Sequence, residues 1–362
     1  MNYGDRVRGS IVGLAIGDAL GHPTEFVSSV AAIRSRWGPK GVTGFEASGR
    51  HPPGTFTDDT QMTIAVARGL IRAGHKDIDE LMTLMGREFV AWSRSSENNR
   101  APGGTCLRGC RELERHVAWR SAGVRDSKGC GAAMRAAPIG LYFHDDVDAM
   151  IRMAAAQSAL THRHPTGIAS SVAAAAPVAY AVREGKIDGM LEFTRDCVKK
   201  LSKEMLVEVG CDERLAQEIG TNEMMASLDE TTASLETEAE DVCKLLGGAW
   251  IGEEAVATAL WCVFRARGDF SEAVLRGANS SGDSDSIACI AGSIAGALAG
   301  YEALPGDWRA AVEKPDMLVG LADTLVHAKS GGDQAETASA LDPFGAERRV
   351  EEASGEGDER GD

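Results

Sequence analysis

Apolar residues in this chain recur at three- and four-residue steps, and nowhere do they alternate over the length of a strand. In residues 4–20, Val7, Ile11, Leu14 and Ala15 share one helical face, with Gly13 and Gly17 on the small-residue side. The same period returns over residues 60–73, 77–94, 106–119, 148–161, 166–184, 253–267 and 270–278. A run of small residues, IACIAGSIAGALAG, suits a buried helix. Only 5% of the residues are aromatic, whereas glycines number 42. Small side chains let helix backbones approach closely, so an all-α fold is expected. No repeat of the kind that builds solenoids is present. Residues 1–329 read as one helical domain. From about Ser330 the composition turns to Gly, Ser, Glu, Asp and Arg without period, so residues 330–362 are expected to form a disordered acidic tail.

The formal net charge is −16, which argues against binding to a nucleic-acid backbone. The eight cysteines include no CxxC pair and read as reduced thiols in a cytoplasmic protein. The start, MNYGDRVRGSIVGLAIGDALG, does not read as a secretory signal, and no long apolar run suggests a membrane span.

Two acidic segments stand out. Thr57-Asp58-Asp59-Thr60 opens the helical run 60–73, and Ser281-Gly282-Asp283-Ser284-Asp285-Ser286 opens the small-residue run downstream. Asp and Thr are ordinary helix caps, and the helix dipole favours acids there by about 0.3–1 kcal/mol. Two neighbouring acids exceed what one cap needs. Carboxylates and hydroxyls in this pattern are hard oxygen donors, suited to divalent cations such as Mg²⁺, and four acids suit two ions better than one. An EF-hand is excluded: Asp283 and Asp285 match its first positions, but Ala288 stands where the turn glycine belongs and Ile294 where the closing acid belongs. Residues 36–56, rich in Gly and Pro, read as a long loop, and SKGCGAA as a glycine-rich turn before a helical run, MRAAPIGLYF. There Gly129 and Gly131 would let backbone N–H groups approach a phosphate at a helix N-terminus. His162 and His164 lack a third nitrogen donor nearby, which disfavours zinc. Glu253 and Glu254 read as first-turn acids with a structural role.

The segments GSIVGLAIGDALGHPTE, TFTDDTQMT, GCGAAMRAAPIG, GGAWIGEEAVATAL and SGDSDSIACIAG, in this order, resemble the ADP-ribosylglycohydrolase family across most of residues 5–300. The resemblance implies a compact orthogonal bundle of helices with a binuclear Mg²⁺ or Mn²⁺ cleft. It also implies hydrolysis of the bond between the distal ribose C1″ of ADP-ribose and an acceptor, either a protein side chain or a small-molecule conjugate. By the same resemblance, Thr57, Asp58, Asp59, Asp283, Asp285 and Ser286 would hold the metals. Glu25, Asp58, Asp59 and Asp285 would be catalytic, with Glu25 as gate or general acid/base. Gly129, Cys130, Gly131, Ala132, Met134 and His162 would cradle ADP-ribose. Arginine-directed members can carry a further acid where this chain has Gly103-Gly104-Thr105-Cys106-Leu107-Arg108, so arginine specificity is in question. Trp92, Arg94 and the SSENNRAPGG loop are candidates for the acceptor side. A metal-dependent ADP-ribose-binding module without hydrolysis is the alternative reading. A monomer is expected.

Overall fold

The computed structural model describes residues 1–74 and 77–331; nearly all of the expected tail, residues 332–362, lies outside the described residues. Helices and their connections make up the described residues, and no strand occurs among them. The first helices are α1 (Tyr3–Gly21), α2 (Val30–Trp37), α3 (Asp58–Ala73) and α4 (Ile78–Arg94). The middle of the chain forms α5 (Gly104–Glu114), α6 (Trp119–Ala122), α7 (Ala137–Tyr142), α8 (Val147–Ala159) and α9 (Pro165–Glu184). The charged stretch forms α10 (Met190–Lys200), α11 (Lys203–Glu208), α12 (Glu213–Glu218), α13 (Asn222–Ser234) and α14 (Cys243–Leu246). Last come α15 (Gly252–Arg265), α16 (Phe270–Ala278), α17 (Ser284–Ala299), α18 (Gly306–Ala311) and α19 (Pro315–Lys329).

The frame of the molecule is the antiparallel pair α1 and α17. Gly9, Gly13, Gly17 and Gly21 recur every fourth residue along α1, so they share one face. A Cβ at Gly9 would lie 2.3 Å from the Gly296 carbonyl oxygen, one at Gly13 2.6 Å from that of Gly292, and one at Gly17 2.0 Å from that of Ala288. At Gly21 it would lie 2.4 Å from Asp285 Cα. The two backbones therefore touch directly, and the seam ends at the acidic segment that opens α17. Helices α15 and α16 cover α17, α19 packs on α1 and α3, and α4 packs on α3.

Several expectations shift in detail. Helix α2 takes the start of the expected loop 36–56. The expected helix over 106–119 divides into α5 and α6, with His116 at a φ of 61° between them. The run after the glycine turn keeps only the six residues of α7. Helix α9 is long and apolar enough to cross a membrane by length and composition, but 89% of that window is buried inside the protein. The eight cysteines are free thiols, and six of them are buried.

Candidate active site

The two acidic segments meet. Ser286 Oγ donates to Asp59 Oδ2 at 2.9 Å, and Thr57 Oγ1 lies 3.4 Å from Asp285 Oδ2. Carboxylate oxygens of Glu25, Asp283 and Asp285 converge within 4.8 Å of one another, a grouping that could hold a metal ion. Asp58, Asp59, Asp283 and Asp285 are all buried.

These acids are not spent as caps. Asp283 occupies the N-cap position of α17, yet its side chain makes no capping hydrogen bond. Asp269, which caps α16, accepts from Glu272 N in the ordinary way. Asp58 instead accepts from the Gly103 N–H at 3.1 Å, which places the segment before α5 beside the cluster.

The sequence reading missed Asp18. It lies inside the apolar run of α1 and is fully buried. Its carboxylate accepts the Thr57 N–H at 2.9 Å, the Thr60 N–H at 3.0 Å and the Thr60 hydroxyl. Asp18 thereby fixes the first turn of α3 and aims Asp58 and Asp59. An isolated acid in an apolar helix, where burial must be compensated, is the signal that could have revealed it.

Without counterions the cluster is strained electrostatically. Burial, then repulsion from Asp285, pushes Asp18 up to about 7. Burial pushes Asp58 up to about 8 against the pull of the Gly103 N–H. Burial followed by Asp285 and Asp283 pushes Glu25 up to about 11, so Glu25 is not a freely solvated loop acid. Burial, then Asp285, also holds Asp59 and Asp283 well above the carboxylate range. Among the described residues no lysine or arginine hydrogen-bonds to Glu25, Asp58, Asp59, Asp283 or Asp285. Two like charges about 5 Å apart repel by about 3 kcal/mol at an effective dielectric near 20, more than a helix terminus returns. A buried set of oxygen donors with excess negative charge fits hard divalent cations. The EF-hand stays excluded, since Ala288 and Ile294 are buried within α17.

The glycine-rich turn lies against the cluster but differs from expectation. Cys130–Ala132 is a single 3₁₀ turn rather than the N-terminus of an α-helix, because α7 starts only at Ala137. The Cys130 N–H is directed at the Trp250 carbonyl at 3.3 Å. Gly131 is required by packing: a Cβ there would meet Cys106 Sγ at 2.6 Å and His162 Cε1 at 3.0 Å. Ala132 and Met134 are buried in the core. His162 is buried behind the turn, its Nδ1 2.8 Å from Thr161 Oγ1; burial, then the Arg135 guanidinium, pushes it down to about 3, so the ring is neutral. Arg135, also buried, donates to Gln157 Oε1 and Thr161 Oγ1, both at 2.8 Å.

Trp92 is a core residue rather than an acceptor-side one: it is buried and donates to Gln61 Oε1 at 2.9 Å. Arg94 is exposed and pairs with Glu114. Glu253 pairs with Lys128, and Glu254 accepts from the Ala249 N–H at 3.1 Å, both structural roles. Phe26, next to Glu25, is 71% exposed and stacks on Trp250, 48% exposed, with ring centroids 6.0 Å apart.

The model of the family described as ADP-ribosylglycohydrolase matches residues 1–335. This chain belongs to the ADP-ribosylglycohydrolase family. An uncharacterized protein of Archaeoglobus fulgidus is 32% identical, the match covering 89% of this chain and 96% of that one. ADP-ribosylarginine hydrolase Tri1 of Serratia proteamaculans is 26% identical over 89% of this chain and 79% of its own length. ADP-ribosyl-[dinitrogen reductase] glycohydrolase of Rhodospirillum rubrum is 26% identical over 87% and 92%. A solved structure titled "ADP-ribosylglycohydrolase-related protein complex" superposes with a TM-score of 0.65 at 24% identity, covering 91% of this chain and 99% of that chain, and so shares the fold of this family member.

Proposed function

We propose that the chain hydrolyses the glycosidic bond at the distal ribose C1″ of ADP-ribose attached to an acceptor, and so reverses ADP-ribosylation. The observation that carries this reading is the buried meeting of the two acidic segments, whose carboxylates have no lysine or arginine hydrogen-bonded to them among the described residues. Two divalent ions, Mg²⁺ or Mn²⁺, would be held by Thr57, Asp58, Asp59, Asp283, Asp285 and Ser286, and when bound would offset the buried negative charge and polarise water and the ribose diol. Asp58 and Asp59, aimed by Asp18, face the positive charge that develops at C1″ as the acceptor leaves. Glu25 holds a proton and gives it to the departing nitrogen or oxygen; the attacking water then restores it. The exposed Phe26–Trp250 pair beside Glu25 offers a stacking surface for a planar base.

The segment beside Asp58 bears on the acceptor. Gly103, Gly104, Thr105 and Arg108 bring no acid there, and Arg108 is exposed, which disfavours a cationic guanidinium. A panel of arginine-, serine- and nucleic-acid-linked ADP-ribose, assayed with Mg²⁺ and with Mn²⁺, tests both reaction and acceptor. Turnover of at least one conjugate, lost in Asp58→Asn, is the expected result. Tight binding of ADP-ribose by calorimetry with no product from any conjugate would instead make the chain a binding module.

A further inference from the structure

Arg135 is a buried cation that the proposed chemistry leaves unused. It is fully buried, and among the described residues no aspartate or glutamate pairs with it. Its guanidinium lies over the Phe89 ring, 4.4 Å from the centroid, and directs its donors to neutral groups. Nε donates to Gln157 Oε1 at 2.8 Å, and Nη2 to the Gln157 carbonyl at 3.1 Å and to Thr161 Oγ1 at 2.8 Å. Gln157 Nε2 in turn donates to the Ala132 carbonyl of the glycine-rich turn at 2.8 Å, and Thr161 Oγ1 lies 2.8 Å from His162 Nδ1. One side chain therefore ties the turn, through Gln157, to the histidine behind it, through Thr161.

These hydrogen bonds fix the tautomer of the ring. Arginine only donates, so Thr161 Oγ1 accepts from it. The hydroxyl hydrogen then has His162 Nδ1 as its one acceptor among the described residues. Were Nδ1 protonated, the oxygen would take two donors and its own hydrogen would be buried without a partner. Nδ1 thus accepts, and the proton of the neutral ring sits on Nε2. Nε2 has no hydrogen-bond partner among the described residues and faces the turn: a Cβ at Gly129 would lie 3.3 Å from it, and one at Gly131 3.5 Å. His162 is 1% exposed, so a buried donor is left open where two residues carry no side chain.

Resting on the reading that the chain binds ADP-ribose conjugates, we propose that Arg135 and Thr161 are positioning residues that hold His162 as the Nε2–H tautomer, from which it donates to an oxygen of the conjugate lying over Gly129. A ring with its proton on Nδ1 would turn a lone pair toward that oxygen, so the tautomer decides the sign of the contact. Arg135 itself lies behind the turn. It acts through Thr161 and, by way of Gln157, sets the distance between Nε2 and the turn.

The test reads the imidazole nitrogens of the full chain by NMR with isotope-labelled histidine, the His162 signals being those lost in His162→Phe. The wild type is expected to carry the proton on Nε2 alone, and that signal is expected to move when ADP-ribose is added with Mg²⁺ or Mn²⁺. Thr161→Val and Arg135→Met are expected to share the proton between the two nitrogens and to bind ADP-ribose about 10-fold more weakly by calorimetry. Thr161→Ser, which keeps the hydroxyl, is expected to restore both. Thr161→Val removes one hydroxyl and keeps the test open where Arg135→Met does not fold. A wild-type ring protonated on Nδ1, or a Thr161→Val variant with its proton still on Nε2 alone and its affinity unchanged, overturns the proposal. The two readings fail separately. If ADP-ribose binds the wild type and His162→Phe equally, only the role of His162 and its positioning residues falls; if the wild type binds no ADP-ribose with either ion, the reading of the site falls with it.

Discussion

Asp18 brings three donors at the start of α3 onto one carboxylate, and among the described residues no other hydrogen bond joins that turn to α1. Asp18→Ala leaves buried donors unpaired, at about 1–3 kcal/mol each. Urea denaturation is expected to show that loss, together with weaker Mn²⁺ binding because Asp58 and Asp59 lose their aim. His162 gives a pH dependence of known sign. Its ring is held neutral in the folded chain to about pH 3, whereas an unfolded histidine takes its proton near 6.5. Between those values the unfolded state binds more protons, so this contribution is complete above about 6.5 and is lost as pH falls, by up to about 1.4 kcal/mol per unit. Thermal melts at pH 7 and pH 5 should show a smaller acid loss in His162→Gln than in the wild type. Loss of turnover belongs to this scale as well: Asp58→Asn and Asp283→Ala are each expected to cost about 10²–10³-fold in rate, with far-UV circular dichroism unchanged. A near wild-type rate in either variant, with metal present, would overturn the mechanism. The paired acids were legible because adjacent carboxylates have no bland use for both charges. Asp18 was legible only as a buried acid in an apolar helix, a signal that names no partner and so gives no role. The contact of Cys130 with Asp283 joins residues 153 positions apart.

At the scale of the element, the seam between α1 and α17 makes a sharp contrast between two glycines of one helix. A Cβ at Gly17 would press on the Ala288 carbonyl oxygen at 2.0 Å, whereas at Gly4 the nearest atom is Asn2 Oδ1 at 3.6 Å. Gly17→Ala must push the paired backbones apart and is expected to cost about 3 kcal/mol or more. Gly4→Ala is expected to be neutral or to stabilise by up to about 1 kcal/mol through helix propensity. Chemical denaturation of the two variants decides the matter, and equal midpoints would mean that the seam is not tight. The long helices α1, α3, α4, α9 and α15 were legible because their apolar period runs for three turns or more, and α17 because of its run of small residues. Helix α2 was not, having eight residues with Arg34 and Arg36 in its last turn. Helix α6, with four residues, is held by Trp119 and Ala122 against the body rather than by any period of its own.

For the whole molecule, a cluster that repels itself makes the fold answer to its ligands. Mg²⁺ or Mn²⁺ at about one hundred times the dissociation constant is expected to stabilise the chain by about 2.7 kcal/mol. Differential scanning fluorimetry would show the rise in Tm in the wild type and its loss in Asp283→Asn; no shift with either ion would count against cation binding. That the two acidic segments belong together was legible from their shared donor chemistry and from family resemblance, not from helical period, which says nothing about which of many helix starts will face one another across more than two hundred residues. The downstream acids stand at the end of a seam where glycine backbone lies directly on backbone, and the Asp18 side chain ties the upstream pair to the same helix. Where backbone lies on backbone no side chain can shift to absorb a change in spacing, so the spacing at Gly9 and that at Asp285, some three turns away, are set by one seam. The residues farthest from the chemistry along this pair therefore help set its tolerances, and the two helices act as a single girder with Asp283 and Asp285 at its tip.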